Sequence, residues 1–174
     1  MSLLKRLLGR AEPDPKQNLQ PLYARIVAKA RTPHWYVEGQ VPDTIDGRFD
    51  MVAVMLTLVL LRLETAPGYE QDMAHLTELF VDDMDGQLRE VGIGEMIVGK
   101  HIGKMVGALG GRLTVFRPAL AGEGDLDGAI LRNIYRTDSP DPQALAHVRQ
   151  ALRDTAAALA TDDAAQIVAG TGQW

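Results

Sequence analysis

The sequence predicts an all-α protein, a single compact multi-helix domain with a long central hydrophobic helix. Three observations carry that prediction. Apolar residues recur at spacings of three and four within segments bounded by proline and glycine, the period of a helix with one buried face. No segment alternates cleanly over the four or more residues a strand needs, and LTVF at 113–116 is too isolated to build a sheet. The longest apolar run, MVAVMLTLVLL at 51–61, follows Arg48 and Asp50 and precedes Arg62. It falls well short of the roughly 20 residues a bilayer span needs, and reads as a core helix apolar nearly all round.

Residues 1–17 are expected to form an N-terminal amphipathic segment and linker, and 18–174 the helical domain. Leu3, Leu4, Leu7 and Leu8 lie at helical spacing beside Lys5, Arg6 and Arg10, a face able to touch an anionic membrane surface weakly. EPDPKQ then reads as linker. Leu22, Tyr23, Ile26, Val27 and Ala30 share one face of a helix whose Pro21 sits near the first position, where no amide hydrogen bond is lost. TPHWYVEGQVPD is irregular, because its prolines and glycine would break either regular element.

A helix is expected over 46–64. Another follows APGYEQ, over about 69–91, with Met73, Leu76, Leu79, Phe80, Met84 and Leu88 on one side and Gly92 as a left-handed cap. RPALAGEG, at 117–124, marks a bend. Further helices are expected at 125–136, 142–160 and 162–169, with Pro142 in a first turn and Asp162 as an N-cap.

Composition excludes several function classes. A formal charge of −5 and an aromatic content of 5% disfavour both a phosphate-binding face and a base-stacking platform. With no cysteine there is no disulfide framework, thiol nucleophile or thiolate metal site. Charges at Lys5 and Arg6 interrupt any signal-peptide core, so a soluble or peripheral protein is expected.

Two motifs mislead. GEMIVGKH fits a P-loop except that His101 stands where a hydroxyl should hold magnesium, and no strand is expected to feed it. VDDMDGQLREVG aligned as a calcium loop puts Val81 at the first ligand position and Gly92 at the last, so two of the strongest ligands are missing. His34, His75, His101 and His147 never pair at metal-ligand spacing, and His75–Glu78 reverses the E-x-x-H order of carboxylate-bridged centres. Neither cofactor nor metal is expected.

Gly99, Gly103, Gly107 and Gly111 recur every four residues, and on a helix they stack along one side. Each costs about 1 kcal/mol of helix stability relative to alanine, which close helix packing would offset. Two fillings of that groove stand open: a helix of this same protein, such as 51–63, or a helix from a partner.

The stretches VPDTIDGRFDMVAVMLTLVLLRL and FVDDMDGQLREVGIGEMIVGKHIGKM resemble the ubiquinol–cytochrome c reductase assembly chaperone family, from about Leu22 to the end and most strongly over 33–112. The resemblance implies a helical, non-catalytic chaperone that holds newly made cytochrome b. It implies a small partner assembly factor and proximity to the ribosomal exit region as well. Without a mitochondrial presequence, the expected place is the cytoplasm, at the inner face of a bacterial inner membrane. Gly99 stands where the family is expected to have proline before Lys100, and Leu109 and Gly110 replace expected aromatics.

Candidate partner-binding residues follow. Asp43 or Thr44 can cap the helix after PDTIDGRFD, while Arg48 and Asp50 can make charge-assisted pairs, either as a structural cluster or as the polar rim of a client groove. Asp82, Asp83, Asp85, Arg89 and Glu90 form a solvated face, or one that meets basic loops flanking a client's membrane helices. Trp35 and Tyr36 are core caps or exposed anchors. Gly99, Lys100, Gly103 and Gly107 complete the set. The rival expectation is a small helical enzyme with a pocket near Trp35 and Arg48; a closed cavity holding a buried carboxylate pair would mark it.

Overall fold

The computed structural model describes residues 14–90 and 95–174, and their side chains apart from Leu88 and residues 95–102. All regular structure among the described residues is helical. A 3-10 turn, Pro15–Leu19, leads into α1 (Gln20–Ala30), with Pro21 in its first turn. α2 spans Ile45–Glu64, α3 Glu70–Glu90 and α4 Glu95–Leu120. α5 (Leu126–Ile130) runs on into a π-turn, Leu131–Tyr135, and α6 (Pro142–Thr161) and α7 (Ala164–Val168) close the chain.

α2 begins where the Thr44 hydroxyl accepts the Gly47 amide at 3.1 Å, so Thr44 rather than Asp43 is the cap. Every residue from Met51 to Leu60 is buried, against α1, α3, α4, α6 and the π-turn. Full burial of a Val, Leu or Met side chain contributes about 1.5–3 kcal/mol, so this helix organises the core. Thr57, its polar member, satisfies itself by donating to the Ala53 carbonyl at 2.7 Å. No helix of the described residues is long and apolar enough to cross a membrane.

Three local expectations shift. The bend expected at RPALAGEG begins later, because α4 continues through LTVF and Pro118 to Leu120 and the chain turns at Gly122, with φ of 82°. Pro118 is tolerated in the last turn while Phe116 and Ala119, both buried, hold the helix against the core. Asp163, not Asp162, caps α7, accepting the Ala165 amide at 2.7 Å. Asp162 instead accepts the Gln173 amide at 2.5 Å and the Trp174 amide at 3.0 Å, clasping the last residues onto the body. The Gly92 cap and the Leu3, Leu4, Leu7 and Leu8 face lie outside the described residues.

Candidate functional site

The loop after α1 is shaped by the orphan carbonyls at that helix's end. Trp35 Nε1 donates to the Lys29 carbonyl at 2.8 Å and the Tyr36 hydroxyl to the Ala30 carbonyl at 2.9 Å. Trp35 is only 2% exposed, so it caps the core and offers no ring to a partner. The loop's large exposed apolar side chain is Val37, 69% exposed. His34 packs at a tilt against Trp35, and its Nδ1 lies 3.0 Å from His147 Nε2 on α6. Burial and then His147 hold the His34 ring below its ordinary value.

Arg48 and Asp43 form an exposed pair at 2.6 Å, which holds the Asp43 carboxyl below the usual carboxylate range. The cavity beside them, about 320 Å³, is walled by Arg31, Pro33, Tyr36 and Val37. Its one carboxylate is the exposed Asp43.

Asp50 is the buried charge of α2, and the structure brings two arginines to it that the sequence did not assign. Arg112, on α4, is itself buried and donates through Nη2 to Asp50 Oδ1 and, at 3.3 Å, to the Asn133 carbonyl. Arg136 reaches Asp50 Oδ2 through Nε at 2.6 Å and Asp46 through Nη1 at 3.3 Å. Burial pushes the Asp50 carboxyl up and the Arg112 guanidinium down, each opposed by the attraction between them. Arg136 sits directly after the π-turn with φ of 56° and ψ of −93°, a conformation side-chain-bearing residues rarely adopt.

This cluster floors a cavity of about 290 Å³ between α2, α3 and α4. Phe49 and Ala53 line it from α2, Phe80 and Met84 from α3, Met105 and Ala108 from α4, with Lys104 and Arg136 bearing the charge. One sequence signal pointed here: Arg112 is the lone charge between Lys104 and Arg117, in a stretch otherwise apolar or glycine but for Thr114. Nothing in the sequence places Arg136.

The glycine stripe faces outward. A Cβ added at Gly103, Gly107, Gly110 or Gly111 would meet nothing within 4 Å, and all four are exposed, as is Val106 at 43%. Among the described residues, no helix of this same protein covers these positions. Gly99 and Lys100 belong to α4, and their side-chain surroundings lie outside the described residues.

The acidic face of α3 is partly neutralised from within. Lys16 binds Asp82 at 2.8 Å, Asp85 pairs with Arg89 at 2.8 Å, and Asp83 accepts the Tyr23 hydroxyl at 2.7 Å. Glu90 remains exposed. The misleading motifs are helical: GEMIVGK falls largely within α4 and VDDMDG within α3. No cluster of three or more metal-ligating side chains occurs among the described residues.

A family model described as ubiquinol-cytochrome C chaperone matches residues 37–174. The chain belongs to that family. Its structure is similar to the crystal structure of the Cbp3 homolog from Brucella abortus, with a TM-score of 0.79 and 27% sequence identity over 99% of this chain and 96% of that one. No curated protein matches it significantly. The matched family region takes in α2, α3, α4, the Asp50 cluster and the cavity above it.

Proposed function

We propose that this protein is a non-catalytic chaperone that holds newly made cytochrome b during assembly of ubiquinol–cytochrome c reductase, at the cytoplasmic face of a bacterial inner membrane. Membership of the chaperone family supports the role. The observation that carries the surface is the outward glycine face of α4, where a client helix can approach the backbone without side chains in the way. Gly103 and Gly107 form the contact, with Gly99 and Lys100 extending it, and Val106 supplies an exposed apolar group beside it. Tyr36, Asp43 and Arg48, with Val37, form a second polar-rimmed patch, while Asp50 acts from beneath through Arg136. Asp82, Asp85, Arg89 and Glu90 meet the basic loops that flank membrane helices on the cytoplasmic side. Shielding apolar surface and matching charge needs neither nucleotide nor metal.

The test is photo-crosslinking in cells from a benzophenone amino acid at Val106, with mass spectrometry of the adducts. Cytochrome b among the leading adducts supports the reading. Its absence, with the protein well expressed and cytochrome b being synthesised, overturns it.

A further inference from the structure

We propose that the cavity between α2, α3 and α4 reads one acidic side chain on the client helix, so that clients are selected by a carboxylate set among apolar residues. This rests on the chaperone reading above and names what its docking face recognises. Three features of the site lead there.

The first is charge. Lys104, Arg112 and Arg136 face the cavity against two carboxylates, Asp46 and Asp50, leaving one positive charge in excess on a chain whose formal charge is −5. Arg112 and Arg136 are committed to Asp50, whereas Lys104 has no hydrogen-bond or ion-pair partner among the described residues. An entering carboxylate completes the balance, and it finds Lys104 and the half-exposed guanidinium of Arg136 at the mouth.

The second is the wall. Phe49, Phe80, Met84 and Met105 are apolar, and the methionines are unbranched and adaptable, which suits a receptor for differing client segments. A carboxylate entering between these side chains gives up part of its water, so its attraction to Lys104 and Arg136 is less screened than that between charges in open solvent.

The third is register. Lys104, Gly107, Ala108 and Gly111 fall at i, i+3, i+4 and i+7 of α4 and are all exposed. A helix lying along the glycines therefore passes over the cavity mouth, with Lys104 and Ala108 as the near rim. Arg136 is held opposite by its left-handed backbone and by Asp46 and Asp50 together, so the cation is positioned before any ligand arrives.

The test uses the full chain and two synthetic helical peptides of leucine and alanine, one with a central Glu and the other with Gln in its place, followed by fluorescence anisotropy. The Glu peptide should bind about tenfold more tightly than the Gln peptide at low salt. Lys104→Gln should reduce that preference to about twofold, and Lys104→Arg should keep it. Equal binding of the two peptides, binding of neither, or a preference that survives Lys104→Gln overturns the inference. So does displacement of the Glu peptide by self-association of the chain, which sedimentation would detect. Val106 crosslinking separates the two levels: cytochrome b adducts retained without a carboxylate preference sink this inference and leave the chaperone reading standing, while loss of the adducts sinks that reading.

Discussion

Replacing Gly107, Gly110 and Gly111 together by alanine should make this protein more stable. All three lie inside α4, all are exposed, and an added Cβ at each meets nothing within 4 Å. Alanine exceeds glycine by about 0.4–1 kcal/mol at a site whose backbone it can adopt, so the triple variant gains about 1–3 kcal/mol. For a chain of this size each kcal/mol moves the midpoint by about 2–4 °C, giving a rise of about 2–12 °C. Urea and thermal unfolding followed by far-UV circular dichroism measure it. Gly47→Ala is the control of opposite sign: its Cβ would run into the Pro42 carbonyl, so it should lose stability. A triple variant less stable than the parent would mean that the glycine face is packed inside the protein, and would refute the outward-facing reading. The same face suits partner docking only if bulk is harmful there, so Gly107→Leu should keep the fold and lose cytochrome b capture.

Asp50→Ala strands the Arg112 guanidinium in the core and should cost about 3–5 kcal/mol in denaturant unfolding, whereas Asp50→Leu with Arg112→Met should recover most of that loss. A cost below about 1 kcal/mol for Asp50→Ala would show that the pair is not held as described. Because His34 binds its proton less readily in the fold than its ordinary value of 6.5, the unfolded chain carries more protons in that window. Stability is therefore full above about pH 6.5 and falls on acidification below it; His34→Gln should flatten that slope, and an unchanged slope would put the acid sensitivity elsewhere. Asp162→Ala removes the acceptor for the Gln173 and Trp174 amides and should cost about 1–3 kcal/mol, with a red shift in tryptophan emission as Trp174 leaves its site against Arg25 and Lys29 of α1. An unshifted spectrum would show that the Arg25 and Lys29 contacts hold the ring alone.

Helices were legible because their signals are local. Period, proline position and the apolar run at 51–61 gave α2, α3 and α6 to within a residue or two of their observed ends, and for α1 the buried face and the proline of its first turn. Ends governed by tertiary contact were not. Pro118 read as a stop, yet burial of Phe116 and Ala119 carries the helix past it. Asp162 has the side chain of a cap, but a more distant pair of amides claims it. The site divides the same way. Asp50 was visible as a charge entering an apolar helix, and the glycine spacing was visible as a groove. Which way the groove faced depends on how α4 rotates against the core, set by Leu109, Arg112 and Phe116 on its opposite side, all buried. Arg136 depends on a π-turn and a left-handed residue, neither of which has a sequence signature here.

The burial of α2 has a consequence for synthesis. Its cover comes from both directions along the chain: α1 is made before it, but α4, the π-turn and α6 are made after. Roughly a hundred residues separate Glu64 from Thr161. At typical elongation rates of about 5–20 residues per second, the buried stretch 51–60, apolar but for Thr57, waits about 5–20 s for its last covering helix. During that interval the nascent chain displays an apolar surface of its own, and its maturation is exposed to the hazard of premature association.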